Sequence, residues 1–346
     1  MKAVLFHEHG DPDVLTYSDL PDPSINPEQF LIEIKSVALN HLDLFVRKGF
    51  PGLKVELPHI LGSDISGVIV DKGPKTSSKF DIGQRVVIDP SLSCKTCEFC
   101  IMGEESLCPQ YHIIGEHVRG GYAQFISVNE ENIVRIPDSV KIDFERAAAI
   151  PLTFMTAWRL MITKAKIKPG DDVLIIGIGG GVALAAMQIA KLAGASVFVT
   201  SSSNKKLEKA RALGADETIN YVENPEFHKE VFRITDGRGV DVVFDSVGEA
   251  TWNKSLSSLR KGGKLVTCGA TSGSNAVTSV NRVFWRQLEI LGSTMASRAE
   301  LRDVLKLVWQ GKLKPIVDRI LPLEQAKVAH EILERGEQFG KVVLRV

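Results

Sequence analysis

Four cysteines crowd into fifteen positions, Cys94-Lys-Thr-Cys97-Glu-Phe-Cys100 and then Cys108 after seven intervening residues. Four thiolates this close can wrap one tetrahedral zinc ion. A shell of four sulfurs leaves no open coordination position, so such a zinc is structural. A redox Cys-x-x-Cys pair and an iron–sulfur site are the competing readings. The fifth cysteine, Cys268, reads as a small core residue.

The second chemical signature is Val173-Leu-Ile-Ile-Gly177-Ile-Gly179-Gly180-Gly181-Val182-Ala183, which runs from an apolar strand into a helix. Glycines in that context let the backbone approach a pyrophosphate, whose charge sits on the helix N-terminus. The spacing departs from G-x-G-x-x-G, because Val182 stands sixth from Gly177. The frame Gly177-x-x-Gly180-x-x-Ala183 keeps a small residue for helix–strand packing. The expected cofactor contacts here are Gly177, Gly180, Gly181 and Val182. The next strand ends Val199-Thr-Ser201-Ser202-Ser203-Asn204-Lys205-Lys206, with no acidic residue between Asp172 and Glu208. An NAD site wants a carboxylate there for the ribose 2′-hydroxyl. Hydroxyls and lysines suit a 2′-phosphate, which predicts NADPH in preference to NADH. The alternative is a serine-rich helix start with solvated lysines.

These groups need elements to position them. Residues 1 to about 150 read as mostly β, with strand patterns at Phe30–Ala38, Val68–Val70, Arg85–Ile88 and Tyr122–Val128 separated by turn signals. From about 165 to 293, strand and helix patterns alternate. Strands are expected at Val173–Ile176, Ser196–Thr200, Glu217–Asn220, Asp241–Asp245, Lys264–Cys268 and Leu288–Gly292. Helices Val182–Ala193 and Lys205–Leu213 each stop at a glycine, Gly194 or Gly214. Six strands alternating with helices predict a parallel, doubly wound sheet. Val247 and Gly269 follow later strands, at the edge where a ligand lies. The tail adds helical stretches at Ala299–Gln310 and Leu323–Arg335 and a strand at Lys341–Arg345, and pattern alone lets it complete either domain.

Composition bounds the rest. At about 150 residues per domain, 346 residues suggest two domains. Lys+Arg and Asp+Glu both number 42, which excludes a globally basic nucleic-acid binder. The uncharged run Val173–Ala190 is interrupted by four glycines, so a strand, a turn and a helix explain it better than a membrane span. The start, Met1-Lys-Ala-Val-Leu-Phe-His-Glu8, meets a charge too early for a secretory leader, at Glu8 after only four apolar residues, so the expected compartment is the cytoplasm.

The chain resembles the medium-chain dehydrogenase/reductase superfamily, which contains the zinc alcohol dehydrogenases and the quinone oxidoreductases. The carriers are Asn40-His-Leu-Asp43, Leu61-Gly62-Ser-Asp64-Ile-Ser-Gly67, the four-cysteine loop, Ala147-Ala-Ala-Ile-Pro151-Leu-Thr-Phe-Met-Thr156-Ala-Trp158, the glycine turn and Gly340-Lys-Val-Val-Leu344. The resemblance implies an α/β fold: a GroES-like β-barrel catalytic domain over 1–153 and 294–346, and a Rossmann six-stranded domain over 154–293. It implies a structural-zinc lobe at about 90–112 and a substrate cleft between the domains. It places Thr156 at the nicotinamide and Ser202, Lys206 and Tyr221 around the 2′-phosphate. Phe284–Ser293 resembles the family's dimer-forming strand, which implies a homodimer or homotetramer.

Departures from the family decide the chemistry. Its catalytic zinc is held by Cys, His and Cys, and those positions correspond here to Asn40, Ser63 and the neighbourhood of Leu152. An amide, a hydroxyl and an alkyl chain make a poor zinc site. The adjoining carboxylate survives as Asp64. The expected activity is reduction of an enone or quinone by hydride transfer without catalytic zinc, with Asn40 either a donor to the developing enolate or the holder of a backbone turn, Ser63 a second donor, and Asp43 and Asp64 orienting neighbours. One alternative is an alcohol dehydrogenase whose metal is absent or held at a rearranged site drawn from His41, His59, Asp64, Glu116 and His117. The other is an NADPH-binding sensor or nucleic-acid partner with little turnover. The expected ligands are a small-molecule substrate, NADPH and one structural zinc per chain, with no nucleic acid and no membrane. Phe45, Phe50, Phe154 and Trp285 suggest an apolar pocket or, equally, core positions; an acyl-CoA would want a basic entrance, for which Arg47 and Lys48 are available but unremarkable as a pair.

Overall fold

The computed structural model describes all residues, Met1–Val346. They form two compact units, Met1–Leu152 with Ser297–Val346, and Thr153–Ala296.

The second unit is built on six parallel strands: Asp172–Ile175, Ser196–Ser201, Glu217–Asn220, Val240–Phe244, Leu259–Thr267 and Glu289–Gly292. Numbered within this unit, their spatial order is 3-2-1-4-5-6, the doubly wound order expected from alternating strand and helix patterns. Both neighbours of the first strand are parallel to it, and the chain reverses its winding between Asp172–Ile175 and Val240–Phe244. A crevice at the carboxyl ends of such a pair is where this topology places ligands. The strands are apolar on both faces because both are covered. Leu174, Val243 and Leu265 are fully buried, and burying each is worth about 1.5–3 kcal/mol. Helices Gly181–Leu192 and Asn204–Ala212 stop where Gly194 and Gly214 take φ of +83° and +105°, conformations that glycine adopts at no steric cost.

In the first unit, a seven-stranded sheet centres on Gln29–Ala38. That strand pairs antiparallel with Asp64–Lys72 on one side and with Lys341–Arg345 on the other. The tail therefore completes the first unit, a choice that pattern alone left open. Its core joins Phe30, Ile32 and Ile34 to Ile65, Ile69 and Leu344, all buried. The strand expected from Tyr122 begins only at Phe125. Tyr122 instead packs fully buried against the turn at Gly62. No helix is long and apolar enough to cross a membrane.

Candidate functional site

Register brings the predicted catalytic residues together. Ala38 sits opposite Val343 on one side and Asp64 on the other. Continuing both antiparallel ladders by two residues sets Lys341 and Gly62 beside Asn40. Asn40 then caps a helix, His41–Lys48, too short for its periodicity to be read from sequence. The Asn40 amide Nδ2 donates to Asp64 Oδ2 at 2.9 Å, and Lys341 Nζ donates to Asn40 Oδ1 at 2.6 Å and to Asp64 Oδ2 at 2.9 Å. Asp64 Oδ1 accepts from the Leu152 backbone N–H at 2.7 Å. All four residues are buried, Lys341 at 4% exposure and Asn40 at 7%. In the sequence Lys341 stands out only as part of the family motif Gly340-Lys-Val-Val-Leu344. Its position beside residue 40 follows from strand pairing, which the sequence does not display.

Asp43 orients the same turn. Its carboxylate accepts the backbone N–H of Asn40 at 2.6 Å and that of Gly62 at 3.0 Å. Burial pushes its carboxyl up to about 7, against the pull of those two bonds and of Lys341. Gly62 has φ +100°, and a Cβ there would lie 2.5 Å from Tyr122 Cδ1, so only glycine fits the turn. Ser63 is wholly buried, and its hydroxyl has no partner.

The rearranged metal site does not assemble. Only one group of three or more His, Cys, Asp or Glu side chains has its ligand atoms within mutual reach, and it is the four cysteines. His41 is held down to about 4 by burial and by the Lys341 charge. His59 instead faces the Gly115 carbonyl at 3.2 Å, and His117 stacks on His112 and accepts from the Ile113 N–H. The basic entrance is also corrected. Arg47 is wholly buried, donating to Glu334 at 2.6 Å and to His330 Nδ1 at 3.1 Å. Phe154 is a core residue at 3% exposure, while Phe45, Phe50 and Trp285 lie exposed.

The cysteine lobe fits zinc. All four sulfurs lie within 4.8 Å of one another. Cys94 and Cys100 Sγ are 3.9 Å apart, matching the edge of a tetrahedron with Zn–S bonds of about 2.3 Å and far from the ~2.05 Å of a disulfide. Backbone N–H groups of Cys97 and Gln110 donate to Cys94 and Cys108 Sγ, both at 3.3 Å. The N–H groups of Thr96 and Cys97 pull the Cys94 thiol down to about 6, which favours the thiolate. Cys268 is half-buried, and burial pushes its thiol up to about 12, so it stays an inert thiol.

The glycine turn fits a dinucleotide. Gly177 and Gly179 take φ of +73° and +127°, and a Cβ added at Gly180 would meet nothing within 4 Å. Gly180 caps the helix with no side chain of its own, so no side-chain oxygen occupies the N-terminal end that Gly181 and Val182 begin. Thr200 Oγ1 accepts the Gly177 N–H at 3.1 Å and fixes the turn to the neighbouring strand. Val247 borders Gly177, and its N–H donates to Asp245 at 2.8 Å. Gly269 follows the neighbouring strand, its carbonyl accepting from Thr267 Oγ1 at 3.2 Å. Thr156 Oγ1 faces Met295 Sδ at 3.9 Å. Ser201 accepts from the Ser203 N–H at 3.2 Å, Ser203 caps the helix that carries Lys206, and the Tyr221 N–H donates to the Ser201 carbonyl at 3.0 Å. Ser202 is exposed beside them. One carboxylate escaped the sequence search: Glu223, two residues past Tyr221, accepts from Asn204 at 2.7 Å and Asn220 at 3.0 Å.

Comparison with known proteins agrees with this geometry. The family model described as zinc-binding dehydrogenase matches residues 181–310, and that of the alcohol dehydrogenase GroES-like domain matches residues 26–138. A crystal structure of an NAD-dependent alcohol dehydrogenase is similar at 48% identity and a TM-score of 0.96, with 100% of both chains covered. An NAD-dependent alcohol dehydrogenase of Sulfolobus acidocaldarius is 32% identical with 100% of both chains covered. An acryloyl-coenzyme A reductase of Sulfurisphaera tokodaii is 29% identical, again over 100% of both chains. The chain belongs to the zinc-type alcohol dehydrogenase-like medium-chain dehydrogenase/reductase superfamily, with its GroES-like and Rossmann domains, and is an NAD(P)-dependent oxidoreductase.

Proposed function

We propose that the chain reduces a carbon–carbon double bond conjugated to a carbonyl, or a quinone, without a catalytic metal. One observation carries this reading. Positions 40, 63 and 152 hold an amide, a hydroxyl and an alkyl chain, and the only ligand cluster in the protein is the four cysteines. Oxidising an alcohol requires a Lewis acid or strong base to form the alkoxide, and these three side chains supply neither. A bound dihydronicotinamide supplies a hydride. The protein's share is then to stabilise negative charge on the substrate oxygen, which an N–H of Asn40 does by donation. Asp64 and Asp43 hold Asn40 and its turn in place, and water protonates the substrate α-carbon. The acryloyl-coenzyme A reductase relative supports the reading, since its named substrate is a conjugated double bond.

The test is turnover in the presence of a chelator. NADPH-dependent reduction of 2-cyclohexenone or 1,4-benzoquinone that survives EDTA, with no oxidation of simple alcohols, is expected. Alcohol oxidation that disappears on chelation would establish the second reading, an alcohol dehydrogenase, which the names of the more similar relatives favour.

We assign the zinc to Cys94, Cys97, Cys100 and Cys108, and the nucleotide to Gly177, Gly180, Gly181, Val182, Thr156, Val247 and Gly269. The 2′-phosphate goes to Ser201, Ser202, Lys206 and Tyr221. NADPH is the expected cofactor, because Lys206 and the hydroxyls suit its 2′-phosphate; equal dissociation constants for NADH and NADPH by titration would refute it. Val280, Phe284 and Trp285 are 72%, 61% and 76% exposed, beside the sheet's edge strand Glu289–Gly292. They support a homodimer, which light scattering checks.

A further inference from the structure

Lys341 is a buried ammonium that desolvation alone would disfavour, since an ion taken out of water must recover its hydration elsewhere. Asp64 would suffice as its partner. The shorter of its two bonds nevertheless goes to the Asn40 amide oxygen, at 2.6 Å against 2.9 Å to the carboxylate. These contacts also fix which way the amide faces. An ammonium only donates and a carboxylate only accepts. Rotating the Asn40 amide by half a turn would set N–H against N–H and oxygen against oxygen, so Oδ1 must face Lys341 and Nδ2 must face Asp64. One amide hydrogen is spent on Asp64, and the other has no partner in the protein. A positive charge on the carbonyl end of an amide draws electrons from its nitrogen and strengthens the remaining N–H as a donor.

We propose that Lys341 is a positioning residue for the reduction: it locks and polarises the Asn40 amide, so that a buried monovalent charge acts through an amide on the substrate oxygen. This rests on the reductase reading above. Lys341 does not itself touch the substrate in this account.

The experiment compares Lys341→Met, Lys341→Arg, Asp64→Asn and the double variant K341M/D64N, each by steady-state reduction of 2-cyclohexenone with NADPH. The double variant removes both buried charges together, and so leaves no uncompensated ion if K341M alone fails to fold. Expected is a kcat loss of roughly 10–100-fold in K341M, and in K341M/D64N relative to D64N, with KM changed less than about threefold. K341R recovers most of that loss. In protein labelled with 15N at asparagine side chains, the Asn40 amide protons, assigned by their disappearance in N40S, move upfield in K341M but not in K341R. The proposal is overturned by a double variant as fast as D64N, by a loss that Arg does not recover, or by an Asn40 signal indifferent to K341M. A wild-type protein that reduces no enone or quinone overturns the reductase reading instead, and the Asn40 signal alone then decides the role of Lys341.

Discussion

Removing the metal from the cysteine lobe should unfold that lobe alone. From Leu92 to His112 the chain buries one residue, Cys108. Its regular structure is one four-residue helix, Glu98–Ile101, one 3-10 turn, Glu105–Leu107, and the short pairing of Ser91–Leu92 with His112–Ile113. Ile101 and Met102 are 75% and 64% exposed, so hydrophobic burial contributes little here. The remaining source of order is the metal, whose binding to four thiolates supplies apparent free energies of about 10–16 kcal/mol in small zinc modules. Ordering each backbone residue costs about 1–2 kcal/mol. Without the ion, roughly twenty residues have nothing to offset that cost. The sheet centred on Gln29–Ala38 has its own apolar core and should persist. The assay is limited proteolysis with trypsin after mercurial displacement of zinc, scored by mass spectrometry at Lys95. Lys95 is exposed and carries φ +66°. Expected is cleavage at Lys95 at least about tenfold faster in stripped protein, with the far-ultraviolet spectrum nearly unchanged and protection restored by added zinc once excess thiol has removed the mercurial. Stripped protein that resists trypsin at Lys95 as well as the native form would refute the reasoning.

Further outcomes follow from the buried polar groups. His330 accepts from Arg47 and faces Tyr122 at 3.1 Å, and burial, then the Arg47 charge, lowers it to about 3. A histidine depressed on folding stabilises the protein above its unfolded value of about 6.5, and that stability is lost as pH falls. Between pH 6.5 and 4.5 the loss should reach about 2 kcal/mol, read from urea titrations, and His330→Gln should flatten the slope; an unchanged slope would contradict the assignment. Gly62→Ala should destabilise by about 2–4 kcal/mol, because it combines left-handed strain with a clash on Tyr122 and Val37. A shift in urea midpoint worth less than about 1 kcal/mol would show that the turn can relax.

The doubly wound sheet was legible because each strand carries its own signal: an apolar run bounded by turn residues. Glu217–Asn220 and Lys341–Arg345 match the observed strands residue for residue. Boundaries drifted where a strand continues past its apolar stretch, as in Leu259–Thr267, which starts at Leu259 and runs through the polar Arg260-Lys261-Gly262 segment. The cysteine lobe was legible because all its ligands are local in sequence. The Asn40 group was only half legible. Asn40, Asp43, Ser63 and Asp64 stand close in sequence, but Lys341 lies about three hundred residues away and arrives through pairing across Gln29–Ala38. Arg47 misled for a related reason. In sequence it stands beside Lys48 as an available cation, while its partners Glu334 and His330 come from the distant helix Ala326–Glu334.

The central claim is that this zinc-type dehydrogenase keeps its structural metal and works without a catalytic one. Zinc per chain, by elemental analysis of protein purified without added metal, tests it most directly. One zinc per chain is predicted, lost when Cys97 and Cys100 are both replaced by serine. Two zinc ions per chain, with one surviving that replacement, would contradict it and return the chain to metal-assisted alcohol chemistry.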